Sequence, residues 1–138
     1  MNTTIPWVAV VDDDDPVRQA IVRLLDLAGI GTRGFAGGAE FLDFLSVSKP
    51  ACVVLDVHMP DMSGFEVQTR LTQDSPHTQI IFITGNDSLD THRCAMLARP
   101  IAYLKKPMSA KFLIDAIKLA LIEVTRQDVS LAHRQTPT

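Results

Sequence analysis

Short apolar runs alternate along this chain with longer stretches in which apolar residues recur every three or four positions. Four of the runs are almost wholly aliphatic, which is typical of strands covered by helices on both faces of a parallel sheet: residues 8–11, 52–55, 80–83 and 101–104. A fifth run, residues 30–35, contains Gly31 and Arg33 and predicts a strand at the edge of the sheet.

The stretches between the strands have the period of amphipathic helices. In the first of them, Asp15 is expected to cap the helix, Pro16 to lie in its first turn and Gly29 to end it. Its apolar stripe comprises Val17, Ala20, Ile21, Leu24, Leu25 and Ala28. Shorter helices are predicted over residues 39–45, 64–71 and 88–97. Ser109 is the expected cap of a last helix, whose stripe comprises Leu113, Ala116, Ile117, Ala120, Leu121 and Val124.

Strand–helix units in succession predict an α/β fold, a three-layer sandwich with right-handed crossovers. With the second strand at an edge, the five-stranded parallel sheet takes the flavodoxin-like order 2-1-3-4-5, and five helices cover it. In that order a binding crevice opens at the carboxyl ends of strands 1 and 3. One domain is expected over residues 1–124, followed by a polar tail or the start of a linker over residues 125–138.

The overall composition adds few constraints. The 138 residues suffice for one domain with its own core, and 46% of them are apolar and 21% charged. A net charge of −3 gives no basic surface for direct binding to nucleic acid or to an anionic membrane. No apolar run approaches the roughly 18 residues of a membrane-spanning helix, and we expect a cytoplasmic location. Cys52 and Cys94 are interpreted as buried or semi-buried free thiols.

Acidic residues follow two of the predicted strands. Strand 1 runs into four consecutive aspartates, and strand 3 runs into Asp56. Asp14 and Asp15 are explained by a solvated loop and a helix cap. The sheet order, however, brings Asp12 and Asp13 close to Asp56, and clustered carboxylates repel one another unless a cation lies among them. An all-oxygen set without a His or Cys cage suits Mg²⁺.

Strands 4 and 5 lead into a hydroxyl and an ammonium. Thr84 ends strand 4 and Lys106 follows strand 5, and both strands open on the same edge of the sheet. Alone, each residue is better explained as a turn former or a solvated charge. Together with the carboxylates they compose a phosphoryl-transfer site, with a carboxylate nucleophile, a divalent cation, a hydroxyl donor and a fixed positive charge.

A series of sequence motifs resembles that of the receiver domains of bacterial two-component response regulators. The motifs are Val-Val-Asp-Asp-Asp at 10–14, Val-Val-Leu-Asp-Val-His-Met-Pro-Asp-Met-Ser-Gly at 53–64, Ile-Thr-Gly at 83–85 and Lys-Pro at 106–107. The likeness covers about residues 6–124. It implies a signalling domain that is not an enzyme, or at most catalyses its own phosphorylation and dephosphorylation. The implied partner is a sensor histidine kinase or a phosphotransfer protein.

The resemblance also implies roles for the acidic residues. Asp56 would accept a phosphoryl group from the kinase or from a small phosphodonor. The carboxylates of Asp13 and Asp56 and the backbone carbonyl of His58 would ligate Mg²⁺. Asp12 would act on the metal through water, and the side chain of His58 is a less favoured alternative ligand.

The same resemblance implies that Thr84 bonds to the phosphoryl oxygens and that Lys106 pairs with their charge. Tyr103 stands where the family has an aromatic ring that changes rotamer, and Lys106–Pro107 where the peptide bond is cis. Phosphorylation would shift the face formed by helix 4, strand 5 and helix 5, through which a homodimer can form. The downstream output would be transcription, through an attached or a partner domain.

Three features depart from the family pattern. His58 and Asn86 flank the expected phosphoryl group, so the lifetime of the phosphorylated state is left open. Arg99 and Pro100 replace the usual Gly-Ala before strand 5. The loop there is therefore expected not to use the left-handed conformation of glycine.

Other classes of function can be weighed against this one. An aspartyl-phosphate hydrolase of the haloacid-dehalogenase type would carry Asp-x-Asp-x-Thr after strand 1, where this chain has four aspartates and then Pro16. A flavin carrier needs a first loop that binds phosphate, but this loop is acidic and has no glycine. A receiver that serves only to bind other proteins would lack an intact set of site residues.

Overall fold

The computed structural model describes residues 5–135, with side chains over residues 5–123. The strands are β1 Val8–Val11, β2 Thr32–Phe35, β3 Cys52–Asp56, β4 Gln79–Thr84 and β5 Ala102–Lys105. The helices are α1 Asp15–Leu27, α2 Gly38–Phe44, α3 Gly64–Asp74, α4 Leu89–Leu97 and α5 Ala110–Gln135. The alternation of strands and helices predicted from the apolar pattern is confirmed.

The strands form one parallel sheet in the order β2-β1-β3-β4-β5, which confirms the predicted flavodoxin-like topology. β2 lies at the edge, as its glycine and arginine indicated. Val11 at the end of β1 pairs with Leu55 of β3. This register places Asp12, the next residue after β1, beside Asp56, the last residue of β3.

Alternate residues of the central strands face two hydrophobic cores, one on each side of the sheet. Val8 and Val10 of β1 pack in a core with α1 and α5. Ala9 and Val11 face the other side and pack in a core with α2 and α3. Complete burial of each of these valine side chains contributes roughly 1.5–3 kcal/mol. Helices therefore cover both faces, and the sheet is the middle layer of three.

The two cysteines differ in burial. Both are free thiols, and Cys52 of β3 is buried as expected. Cys94 of α4 is exposed, so the expectation that it is buried or semi-buried is wrong.

The cap of α1 differs from the prediction, because Asp14 rather than Asp15 provides it. The Asp14 side chain accepts a hydrogen bond from the Val17 N–H at 3.2 Å. Asp14 is held in this capping position because its own N–H donates to Asp12 Oδ1 at 3.0 Å. Asp15 is instead the first helical residue, and its carboxylate pairs with Arg18.

Two helix ends show where the chain can adopt a left-handed conformation. Gly29 ends α1 with a φ of 79°, as predicted. After α4, Arg99 has a φ of 51°, so the expectation that this loop avoids the left-handed conformation is wrong. The Arg99 N–H donates to Met96 O at 3.1 Å, which closes the last turn of α4 without a glycine. The conformation costs a non-glycine residue roughly 1–2 kcal/mol.

The last helix is longer than the sequence pattern indicated. α5 begins after Ser109, whose Oγ accepts a hydrogen bond from Phe112 N–H at 3.4 Å as the expected cap. Its backbone continues to Gln135, well into the segment predicted as a polar tail or linker. Residues 1–4 and 136–138, which the predicted domain and tail include, lie outside the described residues. Within residues 5–135 there is no helix with the length and apolar character needed to cross a membrane.

Candidate functional site

The carboxyl ends of β1 and β3 bring three carboxylates together. Asp12 and Asp13 directly follow β1, and Asp56 ends β3. One carboxylate oxygen of each residue lies within 4.8 Å of the other two. Asp12 is fully buried and Asp56 is 3% exposed, whereas Asp13 is exposed. The cluster that the sheet order predicted therefore exists, and it opens to solvent on the side of Asp13.

Lys106 reaches this cluster from the loop after β5. Its Nζ lies 2.8 Å from Asp12 Oδ2 and 3.4 Å from Asp56 Oδ2. The backbone fixes the start of that loop, since the Lys106 N–H donates to Thr84 O at 2.8 Å. The peptide bond that follows, Lys106–Pro107, is cis, as expected. One ammonium thus compensates part of the charge of two buried carboxylates.

Burial and mutual repulsion change the proton affinity of the site. Burial, followed by the nearby charge of Asp12, raises the pKa of Asp56 to about 7, although Lys106 and the His58 N–H partly offset this rise. Burial alone would lower the pKa of Lys106, but the two carboxylates more than compensate and raise it. The lysine therefore stays charged, while Asp56 ionises less readily than an ordinary aspartate.

The side chains of Thr84 and His58 make no hydrogen bond with the carboxylates of the described cluster. The Thr84 hydroxyl is buried; it donates to Asn86 O at 3.0 Å and accepts from Asn86 N–H at 3.1 Å. The His58 side chain is exposed, and its backbone N–H donates to Asp56 Oδ1 at 3.4 Å. The hydroxyl is thus held by its own loop, and the peptide of His58 lies against Asp56.

Tyr103 on β5 is held by a polar residue of the loop after β4. Its hydroxyl donates to Asp87 Oδ1 at 2.7 Å, and its ring meets His92 of α4 edge-to-face with centroids 5.0 Å apart. Asp87 Oδ2 also lies 3.7 Å from Lys105 Nζ. Burial, the bond to Asp87 and the charge of Asp87 raise the pKa of Tyr103 to about 12. The sequence indicated Tyr103 but gave no sign that Asp87 would hold it.

Two further residues shape the backbone of the site. Gly64 at the start of α3 donates its N–H to Val57 O at 2.8 Å, and a Cβ at position 64 would lie 2.5 Å from Asp56 O. This glycine ends the motif at residues 53–64, but the motif alone did not indicate that position 64 lies against the backbone of Asp56. Arg18 of α1 donates from Nη1 to Asp12 O at 2.8 Å. Nothing in the helical pattern distinguished it from a solvated arginine.

The chemistry of the cluster fits a hard divalent cation. The side-chain atoms of the cluster that could ligate a metal are all carboxylate oxygens, which Mg²⁺ prefers. The buried Asp12 Oδ2 is close to Lys106 Nζ, yet it has no hydrogen bond of good geometry within the described part of the chain. The charge that remains uncompensated is that of three clustered carboxylates against one lysine, and a divalent cation would offset it. The residues present therefore suit the ion.

The fold and the site together define a signalling domain of the phosphoacceptor class. The family described as "Response regulator receiver domain" matches residues 8–118, and the chain belongs to that family. Its members are signalling switches rather than classical enzymes, and they generally bind Mg²⁺ at an acidic pocket. Receiver domains of this family have a histidine kinase or a phosphotransfer protein as partner.

Individual relatives agree with this assignment. The response regulator protein TmoT of Ectopseudomonas mendocina is 33% identical over 121 residues, which are 88% of this chain and 55% of TmoT. A response regulator receiver protein from Burkholderia phymatum has a solved structure that is 42% identical, with a TM-score of 0.75 over 85% of this chain and 95% of that one. A CheY-like receiver domain from Methanospirillum hungatei JF-1 is 25% identical, with a TM-score of 0.83 over 90% of this chain and 99% of its own. The chain spans about half the length of the curated relatives that it matches.

Proposed function

We propose that this domain receives a phosphoryl group on Asp56 and passes the signal on through the face formed by α4, β5 and α5. The observation that carries the proposal is the position of the Asp56 carboxylate. It is buried among Asp12 and Asp13, with the Lys106 ammonium 3.4 Å away. A nucleophile, an acidic metal pocket and a fixed cation in one crevice are the parts that phosphoryl transfer to a carboxylate requires.

The metal ligands that we propose are the carboxylates of Asp13 and Asp56 and the backbone carbonyl of His58. Asp12, which lies deeper and fully buried, would contact the ion through water. When bound, Mg²⁺ neutralises charge on the donor and on the transferring phosphoryl group. The exposed side of the cluster at Asp13 leaves room for waters on the ion, which Mg²⁺ usually keeps.

The side chains of this chain then have separate tasks in the transfer. A carboxylate oxygen of Asp56 attacks the phosphorus, and the bond from phosphorus to the phosphohistidine nitrogen, or to the leaving oxygen of a small phosphodonor, breaks. Lys106 stays protonated and stabilises the equatorial oxygens of the transferring group. The Thr84 hydroxyl leaves Asn86 O and donates to a phosphoryl oxygen. The product is an acyl phosphate, which adds charge and acceptor oxygens at the crevice.

The conformational signal is proposed to leave through Tyr103. When Thr84 moves toward the phosphoryl group it vacates space, and the Tyr103 ring can fill that space once it releases Asp87. A ring with a polar tip is suited to both positions, since one end is apolar and the other tolerates water. A difference of a few kcal/mol between two such states is enough for a new charge to invert their populations.

The two helices that border β5 in the proposed output face, α4 and α5, carry exposed apolar side chains. The exposed apolar side chains of α4 and α5 are Leu89, Met96, Leu97, Phe112, Leu119 and Ile122. We propose that a second copy or an output domain binds there after phosphorylation. The relative FixJ of Azorhizobium caulinodans is named a transcriptional regulatory protein, and by analogy the proposed output is transcription through an attached or partner domain. A cytoplasmic location is proposed on the same analogy.

The phosphoacceptor role is tested by intact-protein mass spectrometry after incubation with acetyl phosphate and Mg²⁺. The wild type should gain one phosphoryl group and Asp56→Asn none. Asp61→Asn, which removes an exposed carboxylate from the same loop, should gain it as the wild type does. Equal labelling of Asp56→Asn and the wild type would refute the assignment. No labelling of the wild type would favour a domain that only binds other proteins.

The output step has its own test. Tyr103→Ala should accept the phosphoryl group normally, yet beryllofluoride, which mimics that group, should no longer change its self-association in sedimentation. A response as large as that of the wild type would show that Tyr103 is merely structural.

A further inference from the structure

The side chain of Arg18 in α1 packs against the edge strand β2. Its side chain is only 15% exposed. A Cβ at position 34 of β2 would lie 3.2 Å from Arg18 Cδ, 3.3 Å from Arg18 Cγ and 3.3 Å from Val22 Cγ2. The aliphatic stem of the arginine therefore lies on the surface that Gly34 leaves open.

Gly34 has no evident backbone reason to be glycine. Among glycines in the described residues, only Gly29 has a positive φ, so the conformation of Gly34 is open to other residues. A glycine within a strand weakens it, and often marks a place where another group approaches closely. Here the group that approaches is the side chain of Arg18, which indicates that the two positions act together.

The guanidinium of Arg18 joins the two ends of the acidic loop. Its Nη1 donates to the backbone carbonyl of Asp12 at 2.8 Å, and its Nη2 donates to Asp15 Oδ1 at 2.6 Å. The carboxylate of Asp15 is 67% exposed, and an ion pair in that setting contributes little. The bond to the Asp12 carbonyl is different, because it is partly buried and reaches outside the helix to a residue of the acidic cluster.

We propose that Arg18 is a positioning residue for the metal site, held by Gly34 so that it fixes the loop that carries Asp12 and Asp13. The inference rests on the proposed Mg²⁺-dependent phosphorylation of Asp56. Three carboxylates within one crevice repel one another, and this repulsion pushes the loop after β1, which carries two of them, outward from the cluster. A charge-assisted hydrogen bond to the Asp12 carbonyl opposes that movement. Groups behind the ligands of a metal typically change its affinity by about 10- to 100-fold.

The sign of the effect separates positioning from simple charge. Arg18 is a cation near an acidic site, so its removal should tighten Mg²⁺ binding if only long-range charge matters. Positioning predicts the opposite, because the loop would relax and the carboxylates would separate. The two explanations therefore differ in direction and not merely in size.

The test is calorimetric titration of the full chain with Mg²⁺ alone. We expect Arg18→Ala to weaken binding at least about tenfold. Gly34→Ala keeps every charge but pushes the stem of the arginine aside by a few tenths of an ångström, and we expect it to weaken binding in the same direction. Arg23→Ala removes a cation from the same helix and should leave binding unchanged or slightly tighter. In phosphorylation assays, Arg18→Ala should need more Mg²⁺ for half-maximal rate but approach the wild-type rate at saturating Mg²⁺.

The outcomes distinguish the inference from the proposed function. If Arg18→Ala and Gly34→Ala bind Mg²⁺ as the wild type does, Arg18 does not position the site, even though phosphorylation at Asp56 stands. Thermal unfolding in EDTA shows whether either variant has lost its fold; if one has, the other decides. A purely structural role would lower the melting temperature without a change in Mg²⁺ affinity, which also overturns the inference. Failure of the wild type to bind Mg²⁺ would instead refute the proposed function.

Discussion

The two ends of the sheet treat buried polar groups in opposite ways. At the amino end, Trp7 Nε1 donates to Ser48 Oγ at 2.8 Å. Just before β4 begins, at the same end, Thr78 Oγ1 donates to Pro50 O at 2.7 Å and shares a 2.6 Å hydrogen bond with Ser75 Oγ. Each of these hydroxyl and indole groups has a neutral partner, so its burial is compensated.

At the carboxyl end the buried groups are charged, and their compensation is incomplete. Asp12 and Asp56 are both almost fully buried, and one lysine serves both of them. Asp12 Oδ2 makes no hydrogen bond of good geometry among the described residues, and its close partner is the shared ammonium of Lys106, 2.8 Å away. Buried polar groups therefore stabilise the fold at the amino end of the strands, whereas repulsion between carboxylates destabilises it at the carboxyl end. A bound cation and a phosphoryl group change the net charge at that second end.

The largest expected effect is on the free energy of unfolding in the absence of metal. Removing the charge of Asp56 should increase it. The pKa of Asp56 is raised from 3.8 to about 7, so the unfolded chain loses this proton more readily than the folded one. Stability is therefore lost as pH rises from about 4 to about 7, by up to about 4 kcal/mol. Asp56→Asn should be more stable than the wild type in EDTA, and the gain should grow from pH 5 to pH 8.

Urea unfolding at the two pH values measures this gain, and Asp61→Asn is the control for an exposed carboxylate of the same loop. A constant difference between Asp56→Asn and the wild type across this range would contradict the charge argument. Addition of Mg²⁺ should narrow the difference, because it stabilises the wild type and not the variant.

At the amino end, the corresponding change should destabilise. Thr78→Val keeps the shape of the side chain but leaves Pro50 O and the Ser75 hydroxyl without this partner, at a cost of about 1–3 kcal/mol. Mg²⁺ affinity should not change, because the site lies at the other end of the strands. Thr72→Val, on the exposed face of α3, is the matched control and should shift stability by less than about 0.5 kcal/mol. A change in Mg²⁺ affinity in Thr78→Val would show that the two ends are coupled.

Removing the exposed member of the cluster should reduce binding without loss of the fold. Asp13→Ala deletes a proposed ligand, and we expect Mg²⁺ affinity to fall at least about tenfold, or about 1.4 kcal/mol. Stability in EDTA should be equal or higher, since one of the crowded carboxylates is gone. Calorimetry and thermal unfolding of the same samples measure both quantities. Wild-type affinity in Asp13→Ala would exclude this ligand set.

The smallest effect concerns Tyr103 and its partner. Asp87→Asn should lower the pKa of Tyr103 from about 12 toward 10, though not completely, because burial is its first cause and remains. Stability should change by less than about 1 kcal/mol, since the bond is exposed. Absorbance titration of this single tyrosine gives the value, and Asp90→Asn of α4 is the control. An unchanged titration would mean that Asp87 does not hold the ring in solution.

Much of the site could be predicted because it follows from strand order. Asp12, Asp56 and Lys106 each end or follow an apolar run, and parallel strands bring their carboxyl ends to one edge. Contacts to backbone carbonyls could not be predicted in this way, because every residue has a carbonyl. The hydrogen bonds from Arg18 to Asp12 O and from the Thr84 hydroxyl to Asn86 O depend on the geometry of the loops. The residue types in those loops do not reveal that geometry.

The errors in local structure have a similar origin. Either of two adjacent aspartates could cap α1, and the choice of Asp14 was set by its own hydrogen bond to Asp12. Arg99 takes a left-handed conformation because the end of α4 requires one there, whatever the residue prefers. In both cases a neighbouring element outweighed the propensity of the single residue.

The position of Trp7 has a practical consequence for optical work on this domain. It is the only tryptophan, and it packs edge-on against Phe44 at the amino end of β1, with ring centroids 5.6 Å apart. The site at the other end of that strand is about 16 Å away, at the rise of an extended chain. Indole emission should therefore report whether Trp7 is still packed against Phe44. It should change little when a ligand binds at the site. Fluorescence would serve as a clean denaturation signal, whereas ligand occupancy needs a separate label near α4.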